Sequence, residues 1–368
     1  MQFMRSDYFA NLGLADVHTK VLDGQRLSKE DGLALFDCPE PLAVGALAHQ
    51  VRTRLHGDRA FYVVNQHINY TNVCINGCTF CAYQREEGQE GGFVLSKEDV
   101  LAKLDAAALK PREIHIVGGC HPTLPLSYFE DILSAVKARH PQVVLKCFTA
   151  VEIAHFAALE ETTTKDILTR LQTAGLDMLP GGGAEIFEPR VRERICARKS
   201  TAEEWLAVHE EAHALGMKTN CTMLFGHIES RKDRLDHLIR LRESQDRSSG
   251  YTCFIPLPFL TENSQLKIDA PLTGLETLRT IAISRLMLDN VPHIKAYWVM
   301  LGVKEAQAAL KFGADDFDGT VVEEKIGHEA GASSEQGMTR DQLEEMIRGC
   351  GCTPVERNGF FNEVNRGA

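Results

Sequence analysis

No apolar run in the 368-residue sequence approaches the roughly 18 residues that a membrane-spanning helix needs. Basic residues are also in deficit. The 51 acidic and 40 basic side chains leave a net charge of -11, which argues against a nucleic-acid or anionic-membrane partner. The opening residues, Met1-Gln-Phe-Met-Arg-Ser-Asp-Tyr8, lack the apolar core of a secretory leader, so a cytoplasmic setting is expected. Low-complexity linkers and internal repeats are missing as well. What is present is ordinary for a large folded chain: 44% apolar and 25% charged residues, enough for a sizeable core. The length suits one large barrel with extensions better than one small domain.

The eleven cysteines are an odd number in a large chain with no export signal, so reduced thiols are expected rather than a disulfide framework. Eight of them (Cys38, Cys120, Cys147, Cys196, Cys221, Cys253, Cys350 and Cys352) read as small buried hydrophobes. The other three stand together. The stretch Asn65-Gln-His-Ile-Asn-Tyr-Thr-Asn-Val-Cys74-Ile-Asn-Gly-Cys78-Thr-Phe-Cys81 begins as an apolar strand and ends in a C-x3-C-x2-C loop. A loop of that spacing can turn three sulfurs toward one metal centre. Structural zinc and ordinary electron-transfer clusters are usually closed by four protein ligands. Three thiolates on a four-iron cluster leave one iron open. Zinc completed by His67 or His121 is the alternative, although no second C-x2-C or H-x3-H element accompanies the motif.

Around this loop the chain is periodic. Residues 1–60 read as a helical extension, with an N-cap at Ser28-Lys-Glu-Asp31 and a second helix opened by Pro41. Strands are then expected at 61–68, 113–117, 143–148, 177–179, 218–225, 251–255, 293–300 and 318–322, separated by helical segments. Alternation of this kind implies parallel pairing. Eight units predict an α/β fold, a (β/α)8 TIM-type barrel over residues 61–335, with a six-unit open barrel as the second geometry. Residues 336–368 are expected to add one C-terminal helix and an irregular tail packed on the barrel. Barrel chemistry gathers at the C-terminal ends of strands. The cysteine loop, Gly118-Gly-Cys-His121, Gly181-Gly-Gly-Ala-Glu185, Gly226-His-Ile-Glu229 and Glu323-Glu-Lys325 all fall there.

The cysteine spacing, with Phe80 before the last cysteine, resembles the radical S-adenosylmethionine (SAM) superfamily. That resemblance implies a [4Fe–4S] cluster on Cys74, Cys78 and Cys81. The fourth iron is chelated by the methionine end of SAM, which is cleaved to methionine and a 5′-deoxyadenosyl radical. Gly118 and Gly119 stand where the superfamily has Gly-Gly-Glu. Here Cys120 is third, so the carboxylate is missing and the amino contact is left to the backbone, to which glycine admits a ligand closely. A plain turn is the other reading. Gly181–Gly183 with Glu185 either cradle SAM or form a turn. Gly226 and His227 resemble an adenine-contacting segment, with a solvated loop as the alternative. Cys147, Cys221 and Cys253 could carry a second cluster like that of biotin synthase-type barrels. Core packing is favoured, because strand 8 lacks the arginine that such a cluster uses.

Six stretches extend the likeness over nearly the whole chain: residues 67–74, 117–122, 179–186 and 223–227, then Ala296-Tyr-Trp-Val-Met-Leu-Gly302 and Phe317-Asp-Gly-Thr-Val-Val-Glu-Glu-Lys325. Together they resemble the aminofutalosine synthase family of menaquinone biosynthesis more than the related futalosine cyclases and deazaflavin (FO) synthase subunits. The resemblance implies a small substrate, 3-[(1-carboxyvinyl)oxy]benzoate, an enol-ether benzoate. The adenosyl radical adds to its double bond; aryl migration and loss of a carboxylate then give 6-amino-6-deoxyfutalosine. A low-potential donor such as flavodoxin or ferredoxin is implied as partner. The dianionic substrate calls for cations, with His67, His121 and Lys295 the leading candidates and Arg279 and Arg285 behind them. An inward Lys295 is costly unless paired, and Asp318, Glu323 and Glu324 are within reach of strand 8, so a structural ion pair or an acid anchor are both open.

Overall fold

The computed structural model describes residues 6–268 and 270–364, so the outermost residues of the expected extension and tail lie outside the described residues. Among the described residues there are ten strands: β1 Arg59–Val63, β2 Asn65–Asn69, β3 Glu113–Val117, β4 Val144–Cys147, β5 Met178–Leu179, β6 Lys218–Phe225, β7 Tyr251–Pro258, β8 His293–Ile294, β9 Asp316–Gly319 and β10 Thr353–Arg357. Strands β2 to β8 pair in sequence order as one parallel sheet, while β10, β1 and β9 form a second sheet. The two are continuous. Lys295, just past β8, bridges in parallel to Asp316 of β9. In turn β9 pairs with β1, and β1 runs through Val64 into β2. The ladder therefore returns to its start, as in the TIM-type barrel that the alternating pattern predicts.

Three strand expectations, and that for the tail, change in detail. Residues 61–68 are two strands, because the Asn65 carboxamide accepts from Val321 N at 2.8 Å and Asn65 N donates to Thr320 Oγ1 at 3.0 Å, which moves the chain from one partner to the next. The seventh expected strand stops at Ile294, and Trp298–Leu301 forms a helical turn instead. A short apolar run does not tell strand from buried helix. The eighth is shifted to 316–319; beyond it Val321, Val322 and Glu323 all take positive φ, a left-handed path that a strand cannot follow. The tail is not irregular after its helix. Strand β10 pairs with β1 over five residues, placing Arg357 opposite Val63.

Helices start where capping chemistry says they should. Ser28 and Asp31 form a reciprocal capping box ahead of Lys29–Asp37, and Pro41 opens the helix Pro41–His56. Thr149 and Glu152 make the same box at the head of Ala150–Leu159. Among the described residues no helix is long and apolar enough to cross a membrane.

The barrel interior is layered, because parallel register sets each inward residue level with its neighbours. Glu113, Arg357 and Asp316 form the layer nearest the N-terminal ends. Arg357 Nε donates to Asp316 Oδ2 at 2.5 Å and Nη1 lies 3.8 Å from Glu113 Oε2, all three side chains being essentially buried. The next layer holds His67, His115 and Lys146, mutually in register on β2, β3 and β4. Lys146 Nζ reaches down to Glu113 Oε1 at 2.6 Å. Replacing Arg357 by alanine leaves two buried carboxylates short of a counter-charge, which should cost about 3–5 kcal/mol. Guanidinium unfolding will measure it; a loss under about 1 kcal/mol would contradict the role given to this layer.

Candidate active site

A cavity of about 320 Å³ opens above these layers, at the C-terminal ends of the strands. Among its lining residues are Cys74, Cys78, Cys81, Phe80, Gly118, Gly119, Glu185, His67 and Lys295. The cysteine loop leaves β2 and is pinned on two sides. Cys74 N donates to Arg85 O at 3.0 Å, and Ile75 N to Cys120 O at 3.1 Å. Gly77 turns the loop with a φ of +61°. All three cysteines are free thiols. Burial pushes Cys78 up to about 12 and Cys81 upward as well, while the neighbouring Lys199 ammonium opposes both shifts. The Cys120 thiol donates to Cys74 and lowers it. A cationic centre between these sulfurs would hold all three as thiolates.

Gly118 and Gly119 are glycines because the cysteine loop lies on top of them. A Cβ on Gly119 would sit 2.1 Å from Val73 O, and one on Gly118 would sit 2.8 Å from Thr71 O. A carboxylate from another element buttresses this turn. Glu152 Oε1 accepts from Gly118 N at 3.1 Å and from the Tyr70 hydroxyl at 2.8 Å; Oε2 accepts from Thr149 N at 2.7 Å. Glu152 is buried and lines the cavity, and burial raises it to about 7. Gly181, Gly182 and Gly183 line the next sector, held by Thr222 Oγ1 to Gly181 O (2.6 Å) and Trp205 Nε1 to Gly182 O (3.1 Å). Glu185 follows with a φ of +49° and pairs with Lys199, whose ammonium also lies 5.3 Å from the Phe80 ring centroid.

Other expected site residues lie elsewhere. His121 is outside the cavity lining; its Nδ1 accepts from Thr123 N at 3.2 Å. Gly226 and His227 are also outside it, because His227 is tied to Glu229 Oε2 (3.0 Å) and Leu224 O (3.1 Å). Arg279 donates to Phe36 O and Arg285 to Asp315, both away from the cavity. Lys295 does face the cavity, but Asp318 holds it, with Asp316 3.7 Å away. Cys147, Cys221 and Cys253 are fully buried and do not line the cavity. The residues that sequence reasoning passed over are His115, Lys146, Glu152 and Lys199. The first two sit at inward positions of strands already recognised, so alternation along β3 and β4 could have found them.

Comparison with known proteins gives this geometry a lineage. A "Radical SAM superfamily" profile matches residues 68–241, and a "CofH/MqnC C-terminal region" profile matches residues 248–366. An aminodeoxyfutalosine synthase from Thermus thermophilus is 43% identical over 95% of this chain and 96% of its own, and one from Streptomyces coelicolor 45% identical over 93% and 92%. The chain belongs to the aminodeoxyfutalosine synthase family of radical SAM enzymes. A 5-amino-6-(D-ribitylamino)uracil–L-tyrosine 4-hydroxyphenyl transferase from Methanosarcina acetivorans is 38% identical over 92% of this chain and 91% of its own. In fold, the family member resembles the crystal structure of methylornithine synthase (PylB), with a TM-score of 0.75 at 16% identity over 92% of this chain and 96% of that one.

For this family member, the loop geometry predicts a simple metal count. After anaerobic reconstitution, Cys74→Ala, Cys78→Ala and Cys81→Ala should each lose bound iron and sulfide, and Cys120→Ala should keep both. Iron retained by any of the three, or lost from Cys120→Ala, would reassign the ligand set.

Proposed function

We infer that the chain is an aminodeoxyfutalosine synthase, joining the adenosyl part of SAM to an enol-ether benzoate with loss of one carboxylate. The observation that carries this reading is one cavity that holds both the three-cysteine turn and a layer of buried N–H donors, in a chain 43–45% identical to enzymes of that name. In this reading Cys74, Cys78 and Cys81 hold a [4Fe–4S] cluster, and Phe80, Gly118, Gly119 and Glu185 border the SAM site. When bound, the cluster and SAM supply a 5′-deoxyadenosyl radical, given an electron from a donor such as flavodoxin or ferredoxin in the cytoplasm.

The protein's own part is to orient the substrate and keep the site dry. Val151, Leu224, Ile255, Leu257, Phe259 and Leu260 supply an apolar wall to the cavity. His67, buried beside His115 and Asn65, is kept neutral by burial, so its ring can donate one hydrogen bond without adding charge. We assign His67 and Lys295 to substrate contact, with Lys295 restrained by Asp318. The second reading, a 4-hydroxyphenyl transferase, rests on the 37–38% identical relatives of that name.

The deciding experiment incubates reconstituted, reduced protein with SAM and the enol-ether benzoate. A product whose mass contains the adenosyl group supports the synthase. Free 5′-deoxyadenosine beside unreacted benzoate would overturn it, and turnover of tyrosine with the ribitylaminouracil would favour the transferase. Replacing His67 by alanine should raise KM for the benzoate; an unchanged KM would remove it from the site.

A further inference from the structure

His67, His115 and Lys146 face one another across three adjacent strands. They are Cα partners in register, His67 with His115 and His115 with Lys146, and all three line the cavity. Neighbouring strands stand about 4.8 Å apart, so the side chains form a continuous row at one depth. The two imidazole rings meet edge to face, with centroids 4.6 Å apart. His115 Nε2 is buried and has no hydrogen-bond partner among the described residues. A buried polar nitrogen left without a partner is costly and calls for an explanation. Lys146 has one ion-pair partner among the described residues, Glu113 beneath it, and Arg357 also draws on that carboxylate. Part of the ammonium's capacity for three N–H bonds thus remains available.

The lining on the other side of His67 differs in charge. Lys295 there is matched by Asp318 and Asp316, and Glu324 adds another buried carboxylate, already accepting from Ile326 N and Gly327 N at 2.9 Å. With those carboxylates already holding Lys295 and backbone N–H groups, the donor capacity left for an anion lies on the β3–β4 side. Depth selects which anion. The row lies within the strands, whereas Cys74 is five residues past the end of β2, so the reacting end of a substrate belongs at the mouth and its far end at the row. On the benzoate named above, the enol-ether double bond is the reacting end and the ring carboxylate is the far one.

We propose that His115 and Lys146, flanked by His67, form the seat for the ring carboxylate of the substrate, with His115 Nε2–H and the Lys146 ammonium donating to its oxygens. This rests on the synthase reading and deepens it. The seat makes the enzyme selective for aryl acids, and it holds the aromatic ring along the barrel axis with the double bond toward the cysteine turn.

The test compares two substrates: the enol-ether benzoate and the same enol ether on a ring without the carboxylate. A hydrogen bond to a charged group corresponds to about ten- to hundredfold in kcat/KM, and the wild-type enzyme should prefer the acid by that factor. In His115→Phe the preference should collapse toward one, and in His115→Asn, which keeps an N–H donor, it should be partly restored. Lys146→Met should lower the preference likewise. A purely structural role would lower both substrates equally and keep the ratio; that result, or an unchanged ratio, overturns the seat. Equilibrium dialysis of the benzoate without SAM is run in parallel. Binding weakened about tenfold or more in His115→Phe supports the seat and equal binding overturns it, even should the wild type yield no adduct and the synthase reading fail by itself.

Discussion

The interior of this barrel depends on one electrostatic condition: charges buried in its lower layers must be matched within the barrel. Glu113, Lys146, Arg357, Asp316, Lys295 and Asp318 are all almost completely buried, and each lies beside an opposite charge. An isolated one would be expelled or neutralised at a cost of several kcal/mol. Matching explains why the chain closes as it does. The final strand, β10, delivers Arg357 to Asp316 of β9, and the bridge from Lys295 to Asp316 joins β8 to the same residue. Asp316 is thus a junction of sheet pairing and charge pairing at once.

A matched lower layer permits an upper layer of donors. Because Glu113 balances Lys146 from below, its charge opposes the burial that would otherwise neutralise the ammonium at the floor of the cavity. The mouth is built by a different principle, close backbone approach. The cysteine loop lies directly on Gly118 and Gly119, and Glu152 ties that turn to the helix after β4 through Gly118 N and Thr149 N. Donors below and thiols above therefore rest on separate supports, and a change in one layer need not disturb the other.

Much of this was legible in the residues. The C-x3-C-x2-C spacing marked the three-cysteine turn that lines the cavity, and the alternation of strand and helix marked the barrel, since both signals are local. What failed was non-local. The pairing of β10 with β1 spans almost 300 residues, and nothing in Thr353-Pro-Val-Glu-Arg357 reveals its partner. His121 and His227 carried the right chemistry in the right loops, yet short turns hold their rings on neighbouring backbone and acidic groups. A cavity carboxylate beside Gly118-Gly-Cys120 comes instead from Glu152, 32 residues past Cys120 and within a helix cap, where its sequence context reads only as a capping box. His115 and Lys146 were hidden for a simpler reason: strand recognition weighs apolar residues, and these are the polar interruptions.

The most direct measurement is an anaerobic crystal structure of the reconstituted enzyme with SAM and an unreactive analogue of the enol-ether benzoate. The layered charge arrangement predicts a carboxylate of the analogue within hydrogen-bond distance of His115 Nε2, with its other end toward Cys74, Cys78 and Cys81. An analogue bound with its carboxylate at the mouth beside His121, or with its aromatic ring lying against His115, would contradict it.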